Sequence, residues 1–400
     1  MKKKWIIIVF ALFAFSCNNS GSDKTLELVE NTLEKVQQHT LLMAESLSDA
    51  PGRLPKTIGI DGELETSNDR WWTSGFFPGQ LWYMYEYSGN ETFKDWAELY
   101  SERVSNQQFT TETHDLGFII FCSYGNGYRI TGNEEFLPII KNASESLITR
   151  FNPEIGAIRS WDRASWNEPW QYAVIIDNMM NLELLEWSSR MFNRPDFAEV
   201  ARTHANTSMQ YLYRPDGSSY HVVSFDTVSS SPEYFHTHQG YSHESAWARG
   251  QAWGLYGFVM MYRETGMPEF LEHAVKIADF IVNHPRLPED KIPYWDYDAP
   301  GIPNTLRDVS AGSITCSALL ELHRYVDEIK AEQYLDVARK QLHSLCSEPY
   351  LAEVGTNRNF ILKHSVGHMP NGSEIDVPLS YADYYFVEAL IRYKVQFGIQ

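Results

Sequence analysis

The chain has 400 residues, 43% of them hydrophobic, which is enough to build a sizeable core in one large domain or several smaller ones. Its formal charge of −19 argues against nucleic acid or an anionic membrane surface as a partner. Twelve Trp and 23 Tyr are many for a chain that reads as mostly helical. Surplus aromatic residues often line ligand clefts, although core packing is their commoner use.

The first residues read as a targeting segment. MKKKWIIIVFALFAFSC has a basic head, a short apolar run and small residues before Cys17, as a bacterial secretory signal does. Its end resembles a lipoprotein signal in which Cys17 is lipidated, and the run is too short for a comfortable transmembrane helix. We therefore expect a signal peptide at 1–17, a polar tether at 18–24, and an exported lipoprotein in the periplasm or at the outer membrane. A lipid anchor would be its only membrane contact.

Paired helices organise the rest of the chain. Apolar, aromatic helices alternate with amphipathic ones across Gly or Asn turns, and about twelve helices result. Such pairs build either an open solenoid or a closed ring. Long loops before the apolar helices, such as 214–243 and 285–308, would form a cleft at one end. We therefore predict an all-α fold, an (α/α)6 barrel spanning 25–400 with the apolar helices inside.

Two candidate sites precede the first inner helices. RWWTSGFFPG places Trp71 and Trp72 where either stacks on a sugar ring or plugs the barrel end. Asp115, in THDLGFIIF, stands before the next apolar helix. As an N-cap it would satisfy free backbone N–H groups. As a catalytic group it would pair with a second carboxylate across the cavity, an arrangement typical of sugar chemistry.

The second carboxylate is Asp177, within the apolar stretch WQYAVIIDNMMNLELLEW at 170–187. The stretch lacks Pro and Gly and is longer than a strand, so we predict a buried helix. An unpaired buried carboxylate costs several kcal/mol unless it binds a proton or finds a partner. Asp177 is therefore either a satisfied core residue or an acid with a raised pKa.

Further polar candidates lie in and before the next apolar helix. Arg249 precedes Trp253 by four residues in WARGQAW, so both lie on one helical face. A buried Arg requires an anion, either a substrate carboxylate or a buried Asp. His221 and Gln239 come from the preceding loop, and His221 is either structural or a ligand. The HTHQGYSH cluster lacks metal-ligand spacing, and Cys122, Cys316 and Cys346 lie in apolar contexts, so no metal site is predicted.

These segments together resemble one family. In order along 71–392 stand RWWTSGFFPGQLWYMYEYSGN, HDLGFIIFCSYGNGYRITGN, IIDNMMNLELL, YHVVSFD, WARGQAWGLYGF, PYWDYDAP and SYADYYFVEALIR. They are similar to the unsaturated glucuronyl hydrolases of glycoside hydrolase family 88, whose fold is an (α/α)6 barrel. One family Trp is replaced by Ser245, which changes the expected outer subsite.

The resemblance implies an exo-acting enzyme that removes the 4,5-unsaturated uronic acid from the non-reducing end of lyase-generated glycosaminoglycan oligosaccharides. It implies enol-ether hydration with Asp177 as general acid/base and Asp115 as the second catalytic aspartate. The residues implied to contact the sugar are Trp72, His221, Gln239, Arg249 and Trp253. No metal or organic cofactor is implied, and no oligomeric state is predicted. The alternatives are a hydrolase of unsaturated rhamnogalacturonyl groups on pectin fragments and a non-catalytic glycan-binding lipoprotein.

Overall fold

The computed structural model describes residues 20–398, so the predicted signal peptide and Cys17 lie outside the described residues. Twelve α-helices lie within this range, and the first begins at Ser20, inside the predicted tether. Their bounds are α1 Ser20–Ser46, α2 Phe76–Ser88, α3 Glu91–Glu102, α4 Asn126–Thr131, α5 Leu137–Ile148, α6 Leu182–Phe192, α7 Pro195–Tyr211, α8 Ala248–Thr265, α9 Pro268–Val282, α10 Val309–Leu322, α11 Glu328–Leu345 and α12 Ser380–Phe397. A π-helix at Gly117–Gly125 runs directly into α4.

The helices form two concentric rings, which confirms the predicted barrel. The inner ring is α2, the π-helix with α4, α6, α8, α10 and α12, and it closes because α12 packs against α2. The outer helices α3, α5, α7, α9, α11 and α1 each pack on an inner one. Every residue of the inner helix α10 is buried. The outer helix α9 buries only the residues on one face, because its other face is in contact with water. None of the helices in the part that is described is long and apolar enough to cross a membrane.

Short turns join each inner helix to its outer partner, as the Gly and Asn positions predicted. Gly89 ends α2 with φ of 64°, a left-handed conformation that glycine adopts without steric cost. The next residue, Asn90, accepts a hydrogen bond from the Thr92 backbone N–H and so caps α3. Asn193 ends α6 with φ of 52° in the same way.

Short antiparallel sheets, which the sequence analysis did not predict, decorate the barrel. Four sheets are formed, with pairings β1–β2, β3–β4, β5–β6–β7 and β8–β9 in the described residues. The strands are β1 Leu54–Ile58, β2 Leu64–Ser67, β3 Phe151–Asn152, β4 Ala157–Ile158, β5 Tyr172–Ile175, β6 Val222–Phe225, β7 Pro232–His236, β8 Ser365–His368 and β9 Ser373–Val377. All lie in the segments between helix pairs, so the long predicted loops carry ordered structure.

The predicted helix at 170–187 is wrong in its first half. Residues Tyr172–Ile175 form β5, Ile176–Asn181 form a 3₁₀-helix, and α6 begins only at Leu182. The strand pairs with β6 on one edge, and Ala173 bridges to Trp161 on the other. All four of its residues are buried, so it shows the continuous apolar run of a buried helix rather than an alternating pattern. Asp177 therefore stands at a strand-to-helix junction, with no helical turn before it.

Candidate active site

The predicted site residues converge on the end of the barrel where the inner helices begin. Trp72 precedes α2, Asp115 precedes the π-helix, and Asp177 lies in the 3₁₀-turn that leads into α6. Arg249 lies in the first turn of α8, with Trp253 one turn further. His221 and Gln239 reach the same place from the segment before α8, because β6 lies beside β5.

Close packing sets the two aspartate segments side by side. A Cβ added to Gly117 would lie 2.5 Å from the Asn181 Cα, so no side chain other than hydrogen fits there. The backbone N–H of Phe118 donates to the Asn181 side-chain oxygen at 3.0 Å. Gly117 is two residues after Asp115, and Asn181 is four after Asp177. This contact therefore holds the two carboxyl groups close enough for the charge of Asp115 to act on Asp177.

Asp177 is an acid that holds its proton near neutrality. Its side chain is 11% exposed, and its Oδ2 is buried without a hydrogen-bond partner. Burial raises the pKa of Asp177 to about 7, and the charge of Asp115 acts in the same direction. The Arg249 charge acts against that shift and lowers the pKa. Asp177 was predicted to be either a core residue with satisfied hydrogen bonds or an acid with a raised pKa, and the geometry favours the acid.

His221 faces Asp177 with a fixed tautomer. Its Nδ1 accepts hydrogen bonds from the backbone N–H groups of His238 and Gln239, both at 3.1 Å. A ring nitrogen that accepts carries no proton, so the proton of the neutral ring is assigned to Nε2. That atom lies 3.5 Å from Asp177 Oδ2. Burial holds the pKa of His221 well below its usual value, so the ring is neutral and its Nε2–H faces the acid without forming a hydrogen bond to it.

Asp115 is held by its own neighbours and does not cap the helix. The Thr113 hydroxyl donates to Asp115 Oδ2 at 2.6 Å, and His114 Nε2 lies 3.4 Å from Oδ1. The π-helix has no side-chain cap, so the N-cap alternative is wrong. The carboxylate is 14% exposed and stands at the cavity beside Asp177.

Arg249 pairs with a buried aspartate, one of the two anions that the sequence suggested as its partner. Its side chain is 1% exposed, and Nη1 lies 3.0 Å from Asp308 Oδ2, which is itself buried. Its other hydrogen bonds go to the carbonyl oxygens of Val366, at 2.5 Å, and Gly367, at 2.6 Å. The guanidinium is also stacked on Trp247 with its Cζ 4.4 Å from the ring centre. Arg249 therefore joins α8 to the segments before α10 and α12, and its charge acts on Asp177 from there.

Gln239 is joined to the same carbonyl. Its side-chain nitrogen donates to the Gly367 oxygen at 3.0 Å, and its backbone N–H is one of the two donors to His221. The residue is half-buried. Gln239 thus fixes the loop between β7 and α8 against β8 and orients His221 at the same time.

Aromatic rings pack against each other beneath the two aspartates. Trp72 lies 4.8 Å from Tyr381 and 5.6 Å from Phe118 between ring centres, and Trp253 lies 5.2 Å from Phe118. The neighbouring Trp71 is more exposed and lies under the Lys56 ammonium at 4.9 Å. Of the two predicted tryptophans, Trp72 is therefore the one that lines the site.

Several buried polar atoms around Asp177 have no hydrogen-bond partner. They are Asp177 Oδ2, His221 Nε2, Trp253 Nε1 and Tyr381 Oη. Buried polar groups in proteins are nearly always paired, and each unpaired one costs about 1–3 kcal/mol. A cluster of an acid and three donors left unpaired in one cavity is the pattern expected of a site that binds a polyhydroxylated ligand.

Sequence reasoning missed Tyr381, Trp161 and Asp308. Tyr381 occupies the first turn of α12, the location where functional side chains were expected, so its position was a usable signal. Trp161 stands 5.8 Å from His221 in ring-centre distance and packs edge-on against it. Asp308 directly precedes the apolar helix α10, as Asp115 precedes its own helix, so its position was also a usable signal. Nothing in the sequence pattern distinguished Trp161, because it reaches the site from a loop.

Ser245 supplies no ring for an outer subsite. It is buried, and its hydroxyl donates to Asp296 Oδ2 at 2.7 Å. The same carboxyl oxygen accepts the Tyr241 backbone N–H at 2.8 Å. The segment before α8 is therefore held by hydrogen bonds at the position where the family resemblance predicted stacking.

The histidine-rich segment forms no metal centre among residues 20–398, where no group of three or more potential ligands is gathered. His236 and His243 stack on each other with ring centres 3.8 Å apart. Each uses its Nδ1 to accept a hydrogen bond, from Trp170 Nε1 and from the Thr237 backbone N–H respectively. The cluster braces the loop before α8.

The opposite end of the barrel holds a cavity of about 470 Å³ in which several charged side chains pair with each other. Arg263 lies 2.6 Å from Glu183 and 2.8 Å from Glu321, and Arg392 lies 3.3 Å from Glu388. These groups have no unpaired charge to offer a substrate.

Comparison with known proteins identifies the family of this chain. Residues 52–396 match the family model described as Glycosyl Hydrolase Family 88. An unsaturated glucuronyl hydrolase of Formosa agariphila is 42% identical over 322 residues, which are 80% of this chain and 79% of that protein.

Two solved structures share the fold over nearly the whole described chain. An unsaturated glucuronyl hydrolase specific for heparin superposes with a TM-score of 0.90 at 45% identity, covering 93% of this chain and 98% of that one. An Asp-to-Asn variant of the Streptococcus agalactiae enzyme, complexed with dGlcA-GalNAc6S, gives a TM-score of 0.77 at 28% identity, covering 91% and 90%. Given the family match and these identities, the chain is a glycoside hydrolase and belongs to glycoside hydrolase family 88.

Proposed function

We propose that this enzyme removes the 4,5-unsaturated uronic acid from the non-reducing end of oligosaccharides that polysaccharide lyases release. The observation that carries the proposal is Asp177, a carboxyl group with a pKa of about 7 beside unpaired buried donors. Protonating a carbon–carbon double bond requires an acid that still holds its proton at neutral pH. The relatives named unsaturated glucuronyl hydrolase support the same reaction.

Asp177 donates its proton to C4 of the double bond in the first step. The ring oxygen then shares the positive charge that develops at C5, which gives an oxocarbenium-like centre. The Asp115 carboxylate, on the neighbouring segment, stabilises that charge and positions the sugar. The His221 Nε2–H, 3.5 Å from Asp177 Oδ2, becomes a hydrogen-bond donor to the carboxylate that remains after proton transfer.

The Asp177 carboxylate accepts a proton from water in the second step while the water oxygen bonds to C5. This regenerates the acid and leaves a hemiketal at C5. The hemiketal opens by breaking the bond between C5 and the ring oxygen, and the hemiacetal formed at C1 collapses to release the partner sugar. Proton transfers account for all of this chemistry. The aromatic rings of Trp72, Trp253 and Tyr381 receive the flat unsaturated ring.

We infer that the substrate derives from a glycosaminoglycan, with heparin products preferred. The supporting observation is the 45% identity to the structure described as specific for heparin, against 28% to the enzyme complexed with dGlcA-GalNAc6S. Turnover of unsaturated disaccharides from heparin, chondroitin and pectin should be compared with one enzyme preparation. Highest kcat/KM on the heparin product is expected. Preference for the pectin product would instead favour the alternative of a rhamnogalacturonyl hydrolase. A non-catalytic glycan-binding role is no longer considered, because the chain belongs to a glycoside hydrolase family.

We also propose that the protein is exported and anchored through lipidated Cys17. The basic, apolar and small-residue pattern of residues 1–17 supports it. Expression of the full chain and of a Cys17→Ser variant in a Gram-negative host, followed by fractionation, tests the proposal. Native protein in the membrane fraction and variant protein in the soluble periplasmic fraction are expected. Equal soluble fractions would contradict anchoring.

A further inference from the structure

A second polar pocket lies beside the catalytic cleft. It has a volume of about 570 Å³ and is lined by polar and charged residues, including Thr111, Asn152, Glu154, Arg159 and Asp162. Arg150 and Tyr172 lie in its wall. Nothing in the reaction described above uses this pocket.

The pocket borders both catalytic segments. Thr111 is four residues before Asp115, and Tyr172 begins the strand that ends just before Asp177. At about 3.3 Å per extended residue, Thr111 lies within about 13 Å of Asp115 and Tyr172 within about 17 Å of Asp177. The segment between the two cavities carries Trp161, which packs against His221 on the cleft side. A chain longer than a disaccharide could therefore leave the cleft over this segment.

Arg150, in the wall of the pocket, already makes its hydrogen bonds and its ion pair with other groups of the protein. It is buried and donates to the carbonyl oxygens of Thr111 and Arg159, at 2.5 and 2.8 Å. It also lies 3.0 Å from the Asp162 carboxylate. These bonds fix the pocket to the Asp115 segment, and the charges of Arg150 and Asp162 offset each other.

The Arg159 guanidinium, in contrast, has no hydrogen-bond acceptor in the part of the protein that the structure describes. Its guanidinium donates no hydrogen bond to any described residue, and its Nε is buried without a partner. The nearest carboxylate oxygen, on Asp162, is 3.8 Å from Nη1 and already bonds Arg150. Instead the Arg159 side chain rests on the Tyr172 ring, with Cζ 4.5 Å from its centre, and is 34% exposed. A preorganised guanidinium fork without an acceptor is suited to bind an oxyanion.

Three other cations near this end of the barrel are paired with carboxylates of the protein. Arg249 is paired with Asp308, Lys56 with Glu65 at 2.6 Å, and Lys363 with Glu348 at 3.2 Å. A chain with formal charge −19 needs local positive charge to hold an anionic oligosaccharide. Glu154 lines the same pocket but forms no ion pair with Arg159, so it opposes anion binding without blocking it.

We propose that Arg159 forms an anion subsite that holds a sulfate or carboxylate group of the substrate on the reducing-end side of the terminal disaccharide. This inference rests on the proposed function, since it assumes that the cleft holds the non-reducing end. The subsite would make longer anionic oligosaccharides bind more tightly than disaccharides. The bound group would bridge the Arg159 fork, with the Thr111 side chain beside it in the pocket.

Binding to the Asp177→Asn variant, which prevents turnover, tests the subsite by calorimetry. The probes are an unsaturated heparin tetrasaccharide, its chemically desulfated form, which keeps the uronate carboxylates, and the unsaturated disaccharide. Adding Arg159→Gln should weaken tetrasaccharide binding by about tenfold, the usual effect of one charge-assisted contact, and leave disaccharide binding unchanged. Loss on the sulfated probe alone assigns a sulfate, and equal loss on both tetrasaccharides assigns a carboxylate.

A matched control variant distinguishes binding in the pocket from the general effect of removing one positive charge. Arg163 is exposed on the same segment and forms no ion pair with any described residue, so Arg163→Gln removes the same charge outside the pocket. That variant should bind the tetrasaccharide within about twofold of the parent, because salt screens exposed charges. Glu154→Gln should tighten binding. Unchanged affinity in Arg159→Gln, or equal losses in both Arg variants, would overturn the subsite. Wild-type turnover of the disaccharide tests the proposed function separately.

Discussion

His221 directs its Nε2–H at the Oδ2 atom of Asp177 across 3.5 Å, because its other ring nitrogen accepts two backbone N–H groups. The ring stays neutral, since burial lowers its pKa. Burial raises the pKa of Asp177 to about 7, and the neutral His221 remains beside it as a donor for the carboxylate that proton transfer leaves. Asp177 can therefore act as acid and then as base within one turnover.

The pH dependence of kcat should follow the protonation of Asp177. Because burial raises its pKa to about 7, the acid is protonated below that pH and is lost as pH rises through it. We expect kcat to fall about tenfold per pH unit above pH 8. Initial rates in overlapping buffers from pH 5 to 9 measure this profile. A rate that keeps rising above pH 8 would contradict the assignment of Asp177 as the acid.

Asp177→Asn should stabilise the protein at alkaline pH. The folded-state pKa is raised above the unfolded value, so ionisation between about pH 4 and 7 costs the wild-type protein stability as pH rises. A shift from 3.8 to about 7 corresponds to at most about 4 kcal/mol. Urea unfolding at pH 8 and at pH 5 measures the difference. The variant's advantage should be larger at pH 8, and an advantage independent of pH would argue against a buried ionised Asp177.

His221→Phe should move the alkaline limb of the kcat profile to higher pH. Without the Nε2–H the Asp177 carboxylate loses a facing donor, so its pKa rises further and kcat falls. The backbone N–H groups of His238 and Gln239 also lose their acceptor, which costs about 1–3 kcal/mol for each buried group left unpaired. Unfolding measured at pH 6 separates that loss from catalysis. A lower kcat with an unmoved limb would limit His221 to a packing role.

Arg249→Met should destabilise the fold by about 3–5 kcal/mol, because Asp308 would be left as an unpaired buried charge. The double variant Arg249→Met with Asp308→Asn should recover part of this loss, since no bare charge remains. Thermal unfolding of the two single variants and the double variant measures the coupling between them. If Arg249→Met keeps wild-type stability and only raises KM, Arg249 contacts substrate instead.

The barrel was predictable because its signals are local. Helix periodicity, Gly89 and Asn193 at helix ends, and the alternation of apolar with amphipathic helices each depend on a few neighbouring residues. The prediction failed at Tyr172–Ile175, where a strand buried on both faces has the same apolar run as a buried helix. What makes it a strand is pairing with β6, about fifty residues later in the chain, which no local pattern reports.

The candidate site divides in the same way. Asp177 stood out because a lone carboxylate in an apolar run is costly. The sequence also showed that Arg249 needs an anion, but its partner Asp308 lies 59 residues away and was found only through the fold. The tautomer of His221 depends on two backbone groups in a different loop. The sequence therefore showed which side chains could take part in the chemistry. Which of them pair with another protein group, and which stay unpaired, was visible only in the three-dimensional contacts.

The most direct test is the ultraviolet absorbance of an unsaturated heparin disaccharide mixed, at pH 6.5, with the protein expressed without residues 1–17. The double bond conjugated to the carboxylate absorbs, and hydration removes that absorbance. We predict a steady decay with the wild-type protein and less than about 1% of that rate with Asp177→Asn, as expected on removal of a group that transfers the reacting proton. Calorimetry should show that the variant still binds the disaccharide. Decay at a comparable rate in Asp177→Asn would contradict the central claim that this carboxyl supplies the proton.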